Sequence, residues 1–337
     1  GYGANPYIET TRPLVVLTAP GPGSGKLATC LSQLYHENKR GVQAGYAKFE
    51  TFPIWNLPLN HPVNVAYEAA TADLKEVNKV DNFHLDAYGE ITVNYNRDIE
   101  VFPVVRSILA KITGKECIYK SPTDMGVNMA GYCIVDDEAC REASEKEIIR
   151  RYLKAQCDLK SGVCKKDTVE RLEFLMSRLG ITQSERKVIE CAREKSRQND
   201  DCGAVALELQ DGRIVTGKNT QRMSASAACV FNAVKMLAGI PHEVKLISPT
   251  VIAPIQTLKT DYMQSRNPRL HTDEVLIALS TCAATDENAR IALEQLPKLR
   301  GCQVHTTVML SNVDKNVFKK LGIGLTCEPV QEDKKIG

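Results

Sequence analysis

No apolar run in these 337 residues approaches the roughly 18 positions that a membrane-spanning helix needs. Neither sign of charge dominates. The 43 Lys and Arg face 41 Asp and Glu, a formal net charge of +2, which argues against nucleic acid or an anionic membrane as partner. No secretory signal opens the chain. Twelve cysteines are present, yet no C-x-x-C occurs, which removes the common zinc-ribbon and thioredoxin arrangements. Cys191, Cys229 and Cys282 lie among apolar helical residues, where cysteine acts as a small hydrophobe. Together they predict reduced thiols and a cytoplasmic protein. No repeat of fixed period is found. What remains is a globular balance, 43% hydrophobic and 25% charged, with enough chain for two or three domains.

Three textures follow one another. Residues 1–135 open with Leu14-Val15-Val16-Leu17-Thr18-Ala19, a short apolar run rich in β-branched residues that reads as a buried central strand. A Gly/Pro cluster follows, then Leu27, Leu31 and Leu34 at helical spacing. A second strand is expected over 45–52, a structured loop over 53–64 and helices over 65–81 and 99–112. Residues 136–199 are dense in Glu, Lys and Arg and read as a three-helix insert. Gly180 closes one helix, and Thr182 with Glu185 forms a capping box. Residues 200–337 return to α/β. Two apolar runs flank Asp211-Gly212, a hairpin signal. A helix over 224–238, strands over 244–247 and 306–310, and helices over 272–285, 287–296 and 314–321 complete the block.

The stretch Pro20-Gly21-Pro22-Gly23-Ser24-Gly25-Lys26 is the most informative. A loop between strand and helix turns successive N–H groups toward an anion, and the helix N-terminus adds its dipole. Gly21, Gly23, Ser24, Gly25 and Lys26 are therefore the expected phosphate-binding residues. The Walker A pattern G-x-x-x-x-G-K-[ST] is incomplete, with Pro20 and Leu27 at two of its positions, and Leu27 cannot ligate magnesium. The alternative is a tight turn whose lysine is merely solvated.

Five runs in order (residues 18–30, 45–74, 93–103, 121–131 and 265–279) closely resemble the bacterial family called domain of unknown function 1846. The resemblance spans essentially the whole chain. It implies that a further N-terminal α/β segment is lacking, consistent with a first residue that is Gly1 rather than Met. It implies no reaction.

Within these runs, loop-borne polar residues suggest a site. His61, Asp124 and Arg97 are the expected catalytic groups: an imidazole titrating near neutrality, a carboxylate and a guanidinium fork. Asn56, Asn64, Asn94, Asn96, Thr123 and Asn128 would orient a polar ligand. Arg266 and Arg269, in the loop Ser265-Arg266-Asn267-Pro268-Arg269, would add positive charge.

The last block resembles the cytidine-deaminase-like architecture in its order of hairpin, helix, strand and helix. Its first helix reads Ser224-Ala225-Ser226-Ala227-Ala228-Cys229, and neither H-x-E nor P-C-x-x-C occurs. A lone cysteine makes no three-ligand zinc site.

The expected fold is thus α/β. It comprises a P-loop-like or Rossmann-like domain over 1–135, a helical insert over 136–199, and a deaminase-like α/β domain without zinc ligands over 200–337. The expected function is binding of a phosphorylated small molecule or nucleotide, with transfer or hydrolysis as the compatible reactions. Magnesium is compatible and zinc is disfavoured. The partners expected are that ligand and further copies of the chain, with no nucleic acid and no membrane. The rival is a non-catalytic oligomeric module with a structural Gly-rich loop.

Overall fold

A computed structural model describes residues 1–331 apart from 22, 50, 51, 129 and 201. The chain divides into two units, Gly1–Ser144 and Glu145 onward. Both mix helices with small sheets, so the fold is α/β.

In chain order the first unit holds α1 (Lys26–Lys39), β1 (Lys48–Phe49), α2 (Pro62–Ala70), β2 (Asn78–Val80) and α3 (Asn82–Tyr88). It continues with β3 (Val93–Tyr95), α4 (Asn96–Thr113), α5 (Pro122–Met125), β4 (Gly126–Val127) and the start of α6 (Asp137–Lys160). β1 pairs with β4 in parallel, and β2 with β3 antiparallel. Residues at spacings of three and four on α4 (Phe102, Val105, Leu109) meet Leu31 and Leu34 of α1 and Met125 in a small apolar core. Gly114, in the left-handed region at φ 68°, ends α4.

Residues 14–19 depart from expectation. They form no strand, and Leu14 and Val16 are 79% and 75% exposed. An apolar β-branched run becomes a strand only where a neighbour supplies its hydrogen bonds, and none does so among the described residues. The helix expected over 65–81 stops at Ala70, and residues 78–80 are β2; Lys75 takes a left-handed conformation that breaks the helix between them. Of the strand expected over 45–52, only Lys48–Phe49 pairs; 50 and 51 lie outside the described residues.

The second unit holds the rest of α6, then α7 (Lys166–Leu179), α8 (Val188–Arg197), β5 (Ala204–Glu208), β6 (Ile214–Lys218) and α9 (Ala225–Leu237). After these come α10 (Pro249–Thr257), α11 (Thr272–Cys282), α12 (Glu287–Leu293), β7 (Gln303–Thr306), α13 (Asn312–Leu321) and β8 (Gly324–Cys327). Its sheet has the order β6-β5-β7-β8. The expected hairpin is there, with Ala204 opposite Lys218 and Glu208 opposite Ile214. β5 runs against both neighbours, while β7 and β8 are parallel. α9 lies almost on the backbone of β6. A Cβ at Gly217 would stand 2.4 Å from the Ala225 carbonyl oxygen and the Cys229 nitrogen, so only glycine fits. Helices and sheet enclose a large apolar core that includes Leu207, Val230, Val234, Leu279, Leu299 and Phe318.

Three local expectations change here. Val244–Ile247 is a loop, although Leu246 and Ile247 are buried; its apolar residues made it read as a strand. The strand expected over 306–310 lies at 303–306, beside β5 and β8. Thr182 caps a single 3-10 turn, its hydroxyl accepting from Ser184 N–H, and α8 starts only at Val188.

Candidate functional site

The Gly-rich loop opens α1. Gly23 and Gly25 have φ of 74° and 85°, where a side chain would be strained, and nothing lies within 4 Å of the Cβ position of either. Gly25 is the residue before the helix and offers no side-chain cap. The Thr29 N–H meets the Gly25 carbonyl at 3.0 Å, and the earliest N–H groups of a helix have no intrahelical partner. Lys26 folds back on the loop, donating from Nζ to the Gly21 carbonyl at 2.9 Å and to Ser24 Oγ at 3.3 Å. Ser24 Oγ also donates to Gly21 O. Pro22 lies outside the described residues.

The polar residues of 53–131 are mostly buried, and they hold one another's backbones. His61 is 2% exposed and starts α2. Its Nδ1 accepts from Val63 N–H, and its Nε2 stands 2.9 Å from Asp137 Oδ1. Both ring nitrogens are therefore engaged, and Arg141 and His61 keep the Asp137 carboxyl below its usual range. Asn64, fully buried, accepts from Ile54 N–H at 2.7 Å and donates to the Ile54, Leu57 and Pro58 carbonyls. It thereby clamps the loop the prolines had marked. Asn96 accepts from Val77 N–H, and Asn128 donates to the Pro53 carbonyl at 2.6 Å. Thr123 donates twice to Asp81, which also caps α3. Asp124 accepts from Lys120 N–H, and exposed Arg97 pairs with Glu76 at 3.2 Å. Asn56 is exposed, its Oδ1 lying where a Cβ on Gly131 would come within 1.8 Å.

Among the described residues, four buried atoms in this region have no hydrogen-bond partner: Trp55 Nε1, Asn78 Oδ1, Asn94 Nδ2 and Asn128 Oδ1. Each such group costs about 1–3 kcal/mol unless water or a ligand meets it. They belong to one connected patch. Asn128 holds Pro53, the Trp55 carbonyl holds Val93 N–H beside Asn94, and Asn78 donates to Asn64 O. Sequence reasoning pointed to Trp55 in the 53–64 loop but missed Asn78 as a member; only the asparagine density of the stretch hinted at it.

A further pair joins His84 Nδ1 to the buried hydroxyl of Ser121 at 2.9 Å. Ser121 Oγ also accepts from Asp124 N–H as the cap of α5.

Arg266 and Arg269 belong to the second unit. Arg266 is exposed, and Arg269 donates from Nε to the Thr220 carbonyl at 2.9 Å. Cys229, at the deaminase-like helix, is buried with its thiol near Val215 O, and burial pushes its pKa up. Among the described residues no group of three His, Cys, Asp or Glu is placed to hold a metal ion, and no helix is long and apolar enough to cross a membrane.

Profiles for the N-terminal and C-terminal parts of domain of unknown function DUF1846 match residues 1–180 and 184–336. A UPF0371 protein of Clostridium botulinum (strain Alaska E43 / Type E3) is 57% identical over 336 residues, covering 98% of this chain and 67% of the relative. A UPF0371 protein of Clostridium tetani (strain Massachusetts / E88) is 56% identical over the same length and shares. With both halves matched and identity this high, the chain belongs to the DUF1846 family.

Proposed function

We propose that this protein binds a phosphorylated small molecule, a nucleotide being one such ligand, at the loop of residues 21–26. The observation that carries the reading is the uncapped start of α1 behind two positive-φ glycines, with exposed Lys26 as its first residue. Fourteen residues of helix place a partial positive charge at that end. A phosphate there would take over the Lys26 ammonium from the Gly21 carbonyl. In this reading the loop cradles phosphate at the start of α1 without the preceding strand of a P-loop and without a Walker A magnesium ligand. The second uses a deaminase-like scaffold without zinc, and the protein is cytoplasmic, consistent with twelve free thiols. The connected Asn patch would receive the polar remainder of the ligand. Transfer or hydrolysis of the phosphoryl group is the chemistry that fits, with Asp124 and Arg97 as the groups nearest solvent.

The test is a thermal-shift screen against nucleotides, sugar phosphates and inorganic phosphate, with and without magnesium. A ligand at 100 times its Kd adds about 2.7 kcal/mol. The shift is expected in the parent and absent in Lys26→Ala. A shift that survives Lys26→Ala places the ligand elsewhere.

A second reading has its own observation. Leu14, Val15 and Val16 are exposed, and β1–β4 is a parallel pair with Phe49 78% exposed, whereas parallel sheets are normally covered on both faces. A non-catalytic oligomeric module would cover this surface with a second copy. Sedimentation of the Val16→Lys variant separates the two: a monomer from an oligomeric parent, with ligand shifts unchanged, favours this reading.

A further inference from the structure

One end of the second unit collects features that neither the Gly-rich loop nor the Asn patch uses. β6 and β7 both run antiparallel to β5, so their C-terminal ends lie at the same edge of the sheet. The chain passes from β6 into α9 and from β7 into α13. α11 starts there too: Ser224 N–H, at the cap of α9, bonds the Leu270 carbonyl, and Thr272 N–H bonds Asp314 of α13. Three helices of ten to thirteen residues thus begin together at the carboxyl ends of strands, the edge at which open α/β sheets bind ligands.

At that edge His271 Nδ1 is 3.0 Å from Asp314 Oδ2. Asp314 is buried and accepts three more hydrogen bonds from two residues: Thr272 through N–H (3.0 Å) and Oγ1 (2.7 Å), and Ser311 through Oγ (3.0 Å). Against the opposing effect of burial, His271 and the two Thr272 donors keep it ionised, its pKa held down to about 2. An ionised carboxylate only accepts, so the imidazole N–H sits on Nδ1 and Nε2 keeps a lone pair. The His271 side chain is 30% exposed. The next elements hold the imidazole's backbone. Glu274 accepts from His271 N–H at 2.7 Å, and Lys259, in the π-helical turn Leu258–Tyr262, bonds Glu274 and the Arg269 carbonyl, each at 2.6 Å. A π-turn frequently marks a functional position. The adjoining segments, joined by Leu270 N–H to the Arg222 carbonyl, carry Arg222 and Arg266, exposed and without a side-chain partner among the described residues. In the first turn of α9 the buried hydroxyl of Ser226 also lacks a partner.

We propose that this edge is a second ligand site, independent of the Gly-rich loop, which holds a phosphate-type oxyanion through Arg222 and Arg266 and in which His271 Nε2 accepts a proton from the ligand or its bound water. The proton ends on Nε2, and Asp314 meets the imidazolium charge through Nδ1–H. Arg222 and Arg266 are binding residues here, and Asp314 is a positioning residue.

The test follows carbethoxylation of each histidine of the whole chain by diethylpyrocarbonate, read by peptide mass spectrometry, with inorganic phosphate as probe. In the parent, phosphate at ten times its Kd should slow His271 about ten-fold and leave exposed His242 unchanged. In the Arg222→Ala/Arg266→Ala variant, whose altered side chains are exposed, that protection should be lost. The pH profile of the His271 rate should turn above the ordinary imidazole value, since Asp314 and Glu274 raise its pKa against the opposing Lys259. Asp314→Asn should return the turn to or below that value; the arginine double variant keeps the test open if Asp314→Asn does not fold. Equal protection of His242, protection that survives loss of both arginines, or no protection of His271 by phosphate overturns the proposal.

Discussion

The two units bury different things. The second encloses a continuous apolar core under a four-stranded sheet. The first has twelve buried apolar residues among those described, and beside them His61, Asn64, Glu68, Asn78, Asp81, Asn94, Ser121, Thr123 and Asn128 are all below 9% exposure. Apolar area is non-directional and forgiving of neighbours of similar volume. A buried amide fixes its partners' positions and charges heavily for a missing one. The first unit therefore gains geometric definition where the second gains stability.

The contrast is broken most directly by one substitution in each unit. Phe318→Ala, fully buried in the second unit, should cost about 3–5 kcal/mol. Trp55, the chain's one tryptophan, lies in the first unit. Urea unfolding should then show an early far-UV circular dichroism transition with the Trp55 fluorescence midpoint unmoved; if both midpoints move together, the units unfold as one. Asn64→Ala should cost about 2–3 kcal/mol, seen by fluorescence first, because it strips Ile54 of two hydrogen bonds at once. A loss below 0.5 kcal/mol, on the order of a surface change, would mean the amide network adds no more than solvated groups do.

Acid sharpens the comparison. Asp314 has its folded pKa lowered from 3.8 to about 2, so its contribution of about 2 kcal/mol is present above pH 4 and disappears as pH falls through 2. His305, buried between Thr326 and Glu328, has a lowered pKa. Its neutral folded form is penalised once pH drops below the unfolded value, so stability is lost on the acid side. His271, raised, works in the opposite direction: its contribution is complete below the unfolded value and fades as pH rises through the folded one. An acid titration in Asp314→Asn should be flatter than the parent between pH 4 and 2; identical curves would contradict the Asp314 assignment. The smallest effect is expected for Lys79→Ala, which breaks an exposed 3.4 Å pair with Glu100 and should change stability by no more than about 0.5 kcal/mol.

Local punctuation was readable in the sequence. Asp211-Gly212 announced the β5–β6 hairpin, Gly180 and Gly239 the ends of helices, and the three prolines of 53–64 the loop that Asn64 clamps. What failed depended on partners distant in the chain. Leu14–Leu17 had the composition of a strand without a neighbour to pair with, and Leu246-Ile247 had the burial of one without the ladder. Asn78 and Tyr95 face each other across β2–β3 only because a helix folds between them. The site shows the same limit. Spacing identified the Gly-rich turn, but not that both nitrogens of His61 are committed, nor that His271 meets Asp314 across 43 residues.

The cysteines described above amount to a set of internal clocks. Cys133 and Cys202 are exposed, whereas Cys229, Cys302 and Cys327 are buried, all three in the second unit. A maleimide reacts with a thiolate it can reach, and burial both hides the buried thiols and raises their pKa. Modification of Cys229 therefore waits for the sheet and α9 to part. Its rate in native buffer counts how often the second unit opens, without denaturant.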